Sequence, residues 1–500
     1  MKIFSPALSR LARFRYWHIE HWVNNPIAAQ REVLQDLITH GQYTQFGRKY
    51  QFDNIFNIRT FKQTVPIHEY HDMKPYIDQV MEGEDSILWN TPVKWFAKSS
   101  GTTSDKSKFI PLTEESIQDN HFQGSKDVLA LYYKTMPDSD LLTGKGLVIG
   151  GSHQVHPIKE DIQYGDLSAV LLQNAPFWAG LIRTPELSIA LMDEWEAKIE
   201  SLAQSTINED VTSIAGVPTW TLVLLKRILE LSEKKSIKEV WPNFELYIHG
   251  GVSFTPYKEQ FKKIIGADCN YLEIYNASEG FFAAQDNVKE EGMLLFLEHG
   301  IFYEFMPIEE YGKAQPMTVG LNKVVVGKNY AIVISTNGGL WRYLVGDTIQ
   351  FTNLAPYRIK VSGRLKQFIN AFGEELIADN SDKAMSEACA SFGVAIKEYT
   401  AAPIYMSDNT SGAHEWLVEF ERAPLDMEQF KSKLDKAMCA KNVYYQDLIT
   451  GNILAPLVVT VVPKNAFIDY MKSEGKLGGQ NKVARLSNDR KIADQLKTKK

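Results

Sequence analysis

Cysteine is scarce: Cys269, Cys389 and Cys439 are the only three in 500 residues. Their odd number and wide spacing exclude a disulfide framework and a paired-cysteine zinc site, and a reducing cytoplasm fits. Long hydrophobic runs are also missing. The longest apolar stretch, 453–462, is far short of the roughly 20 residues a membrane helix needs, so no stable membrane insertion is expected. The start, MKIFSPALSRLARFRYWHIEHW, is basic and aromatic, but charges interrupt it too often for the apolar core of a signal peptide. An amphipathic first helix packed on its own domain is expected instead. Positive charge is not in excess: 54 Lys and Arg against 61 Asp and Glu leave a formal net charge of −7, which argues against broad nucleic-acid binding. Neither GxxxxGK[ST] nor a GxGxxG opening a helix occurs. His68 and His71 lie three apart without the HExxH spacing that would place both on one helix face around a zinc ion.

What is present is an ordinary globular composition, 44% hydrophobic and 23% charged, long enough for two or three domains. The most informative stretch is Ser99 to Leu112, SSGTTSDKSKFIPL. Small hydroxyl residues and Gly101 leave the backbone open, so N–H groups and hydroxyls can close around a phosphate, with Lys106 and Lys108 supplying charge nearby. A polar surface loop between strands is written with the same residues.

Along the chain, Val33, Leu34, Leu37 and Ile38 recur at helical spacing after Pro26, and Gly41 supplies a stop. GLVIGG at 146–151 reads as a short buried strand. Val211–Val217 reads as another, followed by a helix opening at Pro218. A strand at Leu246–His249, a helix at Lys258–Ile265 and a strand at Tyr271–Ile274 repeat the α/β pattern. From Met293 to Thr336 four closely spaced strands are expected (MLLFLE, IFYEFM, KVVVG, AIVIST), an antiparallel region attached to the α/β core. Beyond about Arg364 a smaller α+β unit begins. It has helices near Ser381–Phe392 and Leu425–Lys441, strands near Ala395 and Trp416, and a strand at Leu457–Val462. The polar tail after Gly475 has too little apolar surface for a core of its own and must dock elsewhere or remain mobile.

Three further stretches accompany the hydroxyl loop: YNASEG at 275–280 directly after a strand, WRYLVGD at 341–347, and GGQNKVAR at 478–485. In this order and spacing the four resemble the nucleotide-binding motifs of adenylate-forming enzymes. In detail they resemble the auxin-responsive Gretchen Hagen family of acyl acid amido synthetases, a likeness that runs over essentially the whole chain. It implies a large α/β domain over 1–362, with an antiparallel β region and the ATP and acyl-acid site, and a smaller mobile α+β domain over 363–500.

The resemblance also implies roles for individual residues. Ser99, Ser100, Gly101, Thr102 and Thr103 would grip the leaving phosphates of ATP. Tyr275 would lie against the adenine, Ser278 near the α-phosphate, and Glu279 would recruit Mg2+. Asp347 would accept the ribose hydroxyls, and Arg364, at the hinge with Gly363, would reach the ribose or phosphate. Lys482 would neutralise charge on the α-phosphate during adenylation. Val217 and Trp220, with Phe177 and Trp178, are acyl-pocket candidates whose alternative is core packing. Asn276 and Ala277 depart from the residues usual in plant members, which points to a non-plant member and leaves auxin and jasmonate unimplied.

The reaction so implied is ATP- and Mg2+-dependent. A small-molecule carboxylic acid becomes an acyl-adenylate, the small domain rotates, and an amino acid displaces AMP. An acyl-CoA ligase using the same adenylate and a nucleotide-binding protein without turnover are the rival readings.

Overall fold

A computed structural model describes residues 5–498 apart from 100–107, 151–154, 193, 252–253, 267, 366–368, 370, 373, 375, 406–411, 452, 476–481 and 488. Its strands, in chain order, are β1 Trp95–Ser99, β2 Lys108–Leu112, β3 Lys145–Val148, β4 His156–Lys159, β5 Ile162–Gly165, β6 Arg183–Thr184, β7 Val211–Gly216, β8 Leu246–Gly250 and β9 Asn270–Ala277. There follow β10 Gly280–Ala284, β11 Met293–Leu295, β12 Ile301–Pro307, β13 Asn329–Thr336, β14 Tyr343–Leu354, β15 Tyr357–Arg364, β16 Ala395–Ile404, β17 Ala413–Arg422 and β18 Val458–Val461. The chain divides into two compact units, Met1–Gly251 with Gly266–Val361, and Val252–Ile265 with Ser362–Lys500. It therefore passes between the units three times.

The first unit is built on an eleven-stranded sheet in the order β12-β13-β14-β15-β11-β10-β9-β8-β7-β3-β6. From β6 to β9 the pairs are parallel. The helices Trp195–Thr206 and Pro218–Ser232 cross between β6, β7 and β8, as parallel strands require. From β9 through β10 and β11 to β15 the pairs turn antiparallel. The antiparallel region is thus a continuation of the same sheet. Pro218 at the first helical position, with its fixed φ and missing N–H, starts its helix at no hydrogen-bonding cost. A separate four-stranded sheet, β2-β1-β5-β4, carries the hydroxyl-rich hairpin.

Two sequence expectations fail here. KVVVG forms no strand: Leu321–Lys323 is a 3₁₀ turn, and Val325 and Val326 are more than half exposed, with only an isolated bridge from Val326 to Phe351. β-Branched residues suit a strand only where a neighbour pairs with them and buries one face, and here that is missing. MLLFLE is extended only over Met293–Leu295.

The N-terminal helix Ser5–Asn24 packs on its own unit. Ile19 and Trp22 are buried, and Arg15 donates to both Oδ1 (2.7 Å) and Oδ2 (3.1 Å) of Asp127 on the helix Gln123–Thr135. Among the described residues no helix is long and apolar enough to cross a membrane.

The second unit has a three-stranded sheet, β16-β17-β18, with β16 and β17 antiparallel and β17 and β18 parallel. Helices Ala378–Phe392 and Met427–Lys441 supply Ala384, Met385 and Ala388, and Phe430, Leu434 and Met438, to one apolar core. The described end of the tail docks on this unit. Helix Lys491–Thr498 docks through Ala493 and Leu496, and Arg490 and Lys497 both pair with the buried Glu415 of β17. Periodicity alone could not show this, because three apolar residues on eight, Ile492, Ala493 and Leu496, suffice once ion pairs supplement them.

Candidate functional site

In the first unit, β9 ends and β10 begins in a two-residue turn, Ser278–Glu279, at the C-terminal edge of the parallel strands, where ligands of α/β sheets collect. At Gly280 a Cβ would stand 2.5 Å from Ile301 Cδ1, so a larger residue would force that buried side chain to shift. The turn is fixed from behind by Asn120. Its Oδ1 accepts from the Phe281 N–H at 2.7 Å, and its Nδ2 donates to the His299 carbonyl at 2.9 Å. Asn120 lies in a π-helical turn, Ser116–Phe122, a local irregularity frequent at functional sites. No local sequence signal marks it.

Strand β14 runs past the same region. Tyr275 on β9 donates from its hydroxyl to Asp347 Oδ2 at 2.9 Å, and both side chains are buried. Asp347 thus sits inside a twelve-residue strand. Tyr343, earlier on β14, is also buried. Burial, reinforced by the charges of Glu279, Glu69 and Asp347, holds its hydroxyl far above the ordinary titration range of a phenol. It therefore remains a neutral hydrogen-bonding group beside these three carboxylates.

Lys108, at the start of β2, reaches the same hydroxyl. Its ammonium is 3.4 Å from Tyr343 Oη and lies over the Tyr70 ring at 5.7 Å. Tyr70 in turn accepts from the Phe109 N–H at 2.8 Å, which fixes β2. Ser99 pairs with Lys108 in the hairpin register, so the hydroxyl-rich loop leaves and re-enters beside this lysine. Ser100, Gly101, Thr102, Thr103 and Lys106 fall in the loop outside the described residues. The structure thus brings Ser99 with Lys108, Glu279 and Asp347 near Tyr343, and Tyr275 onto Asp347. Lys108 and Tyr343 are the additions: the sequence showed the lysine as nearby charge, and the tyrosine as one letter of WRYLVGD.

The start of β14 is anchored rigidly. Arg342, with φ 42°, forms a buried two-point ion pair with Glu304 (2.7 and 2.9 Å) and donates to the Val65 carbonyl at 2.6 Å. His68 is part of that anchor. Its N–H donates to the Arg342 carbonyl, its own carbonyl accepts from Leu344, and its Nδ1 lies 2.9 Å from the Trp341 carbonyl. Burial pushes its imidazole below the ordinary range, so it is neutral near pH 7. His71 is exposed.

Val217 caps helix Pro218–Ser232, and Trp220 occupies its first turn; both are half-buried. They stand at the same C-terminal edge as Glu279, two parallel strands or roughly 10 Å from β9. Phe177 and Trp178 lie in a 3₁₀ turn, and their side chains are outside the described residues.

In the second unit, Arg364 ends β15 just after Gly363, whose φ is 155°, and is half-buried. Lys482 is half-buried in an irregular segment three residues before the buried Arg485. Among the described residues no group of three or more His, Cys, Asp or Glu side chains could hold a metal ion by itself.

Comparison with known proteins adds the family. A model described as the GH3 family N-terminal domain matches residues 15–269, the central-domain model matches 294–364, and the C-terminal-domain model matches 379–491. Indole-3-acetic acid-amido synthetase GH3.2 of Arabidopsis thaliana is 24% identical over 533 aligned positions, covering 88% of this chain and 93% of its own. The solved structure of a GH3.15 acyl acid amido synthetase in complex with 2,4-DB superposes with a TM-score of 0.80 at 18% identity, covering 97% and 95% of the two chains. A 2-hydroxyisobutyryl-CoA ligase in its postadenylation state superposes more loosely, with a TM-score of 0.58 at 12% identity over 94% and 91%.

Proposed function

Because the chain belongs to the GH3 family, we propose that it is an ATP-dependent ligase that activates a carboxylic acid as an acyl-adenylate and couples it to an amino acid, releasing AMP and pyrophosphate. The observation that carries the reading is the buried Tyr275–Asp347 hydrogen bond, with Lys108, Tyr343 and Glu279 gathered beside it. Asp347, oriented by Tyr275, accepts the ribose hydroxyls, which two carboxylate oxygens suit. Tyr275 borders the adenine and Ser278 the α-phosphate. Ser99 and the loop residues Ser100, Gly101, Thr102 and Thr103 hold the departing phosphates, with Lys108 at the loop's base supplying positive charge. Arg364 contacts the ribose or phosphate.

The donor set fits Mg2+. Glu279 offers one carboxylate, and this ion typically takes one or two carboxylates and completes its shell with phosphates and water. When bound, it offsets the charge of the polyphosphate. Lys482, a point charge on a flexible stem, stabilises the negative charge that builds on the α-phosphate during adenylation only. The substrate carboxylate attacks the α-phosphorus, the bond to pyrophosphate breaks, and the amine then attacks the acyl carbon and expels AMP. Val217 and Trp220 border the acyl group. The first unit thus holds ATP and the acid, and the second carries Lys482. Asn276 and Ala277 support a source outside plants, and the scarcity of cysteine supports a cytoplasmic enzyme.

The test is pyrophosphate exchange into ATP across a panel of carboxylic acids, followed by trapping with amino acids and with CoA. Exchange with an acid, followed by an acyl-amino acid detected by mass spectrometry, is the expected result. A thioester with CoA and no amide would make it a CoA ligase, and no exchange with any acid would leave nucleotide binding without turnover.

A further inference from the structure

Lys482 lies three residues before Arg485, and on this C-terminal side its surroundings are well defined. There the chain is pinned. The Arg485 carbonyl accepts from the Ala401 N–H at 2.8 Å, Ser487 N–H donates to the Ala401 carbonyl at 3.1 Å, and Thr400 Oγ1 donates to the Ala484 carbonyl at 2.7 Å. Leu486 is fully buried and forms a parallel bridge with Ala401, so 484–487 behaves as a short extra strand on the edge of β16.

The side chain of Arg485 is the bolt through this arrangement. It is buried, donates through Nη1 to the Tyr399 carbonyl at 3.1 Å and through Nη2 to Tyr257 Oη at 2.9 Å, and pairs with Glu398. Asp382 lies 3.5 Å from its Nε, and its guanidinium stacks over the Tyr399 ring at 4.6 Å. Tyr257 comes from the excursion Val252–Ile265, which is itself tied to β16 by Gln260 Nε2 donating to the Ile396 carbonyl at 2.9 Å.

We propose that Arg485 is the positioning residue for Lys482, with Tyr257 as its supporting acceptor, so that the excursion and the lysine segment form one rigid piece. Three extended residues span at most about 11 Å, so the bolt keeps the Lys482 backbone within that distance of Arg485. A misplacement of about 1 Å can cost on the order of 10²-fold in rate, which makes such confinement catalytically relevant. The proposal rests on the role given to Lys482 above.

The experiment is a double-mutant cycle on the full-length protein, read by pyrophosphate exchange and by amide formation from supplied acyl-adenylate. Lys482→Ala is expected to lower exchange by about 10²–10³-fold. Arg485→Lys should lower it by about 10–10²-fold with KM for ATP unchanged and amide formation retained, and in the Lys482→Ala background it should have no further effect. Tyr257→Phe, which removes one acceptor and leaves the two carboxylates, should show the same pattern more weakly and carries the test where Arg485→Lys fails to fold. Equal losses in both backgrounds, or in both half-reactions, overturn the positioning role while the ligase reading stands. Unchanged exchange in Lys482→Ala overturns the assignment of that lysine and the positioning proposal with it, while exchange itself still reports adenylation.

Discussion

The two units hold their candidate site residues in different ways. In the first, Tyr275 and Asp347 lie on long strands of an eleven-stranded sheet, are buried, and bond directly to each other. In the second, Lys482 is half-buried in an irregular segment beside a three-stranded sheet, three residues from the buried Arg485 and its hydrogen bonds. The contrast follows the chemistry proposed for each. Groups that bind a nucleotide throughout a reaction benefit from orientation fixed in advance, because nothing then has to be ordered when ATP arrives. A lysine needed for one half-reaction benefits from a fixed backbone and a flexible side chain.

The largest effect should come from the anchor of the first unit. Arg342→Leu leaves Glu304 buried with Lys62 at 3.5 Å, and breaking a buried ion pair typically costs about 3–5 kcal/mol. Hydrogen exchange should then accelerate over 301–347 and stay unchanged over 395–422; acceleration in both would mean that the units unfold as one. Next is Lys482→Ala, with the exchange rate down by about 10²–10³-fold, equivalent to about 2.7–4 kcal/mol, and ATP affinity little changed. A large loss of ATP affinity would erase the distinction between binding in one unit and chemistry in the other. Asp347→Ala should weaken ATP binding by about tenfold or more, from lost hydrogen bonds to a charged group of about 1.5–3 kcal/mol. Calorimetry finding wild-type affinity would remove the ribose assignment.

The smallest effect concerns acid. Each unit buries a carboxylate against a histidine, Asp127 with His299 (2.9 Å) and Glu374 with His414 (2.8 Å). Burial opposes ionisation of Asp127, but hydrogen bonds from His299 and Arg15 outweigh it and hold the carboxyl below its ordinary range. Glu374 is depressed in the same way, with His414 and the Phe372 N–H opposing burial. A depressed folded-state pKa contributes stability that is fully present above the unfolded value, about 4, and fades as pH falls toward the folded one. Asp127→Asn should therefore flatten the acid limb of melting temperature below about pH 4.5 for the first unit alone. Hydrogen exchange at pH 4 against pH 6 separates the two contributions.

Much of the fold was legible because its signals are local. Pro218 starts its helix, and Phe430, Leu434 and Met438 mark one face by spacing alone. The parts that were not legible depend on pairing. Val325 and Val326 look like strand residues and are not, since no neighbour covers them. Ala493 and Leu496 look like too little to fold, yet they dock with the help of Arg490 and Lys497. At the site, Tyr275, Glu279 and Asp347 could be picked out because they sit inside motifs. Asn120 could not, because its partners, Phe281 and His299, are 161 and 179 residues away.

The three passages between units have a consequence for how the protein can be cut and rejoined. The smaller unit is not a terminal cassette, because the sequence after Val361 lacks Tyr257 and Gln260, which meet Arg485 and Ile396. A gene ending at 361 would leave the excursion stripped of its partners. A chimera with a single crossover there would set a relative's C-terminal segment beside an excursion it never evolved with. Exchange between family members should succeed only when 252–265 travels with 362–500, as a two-segment transplant.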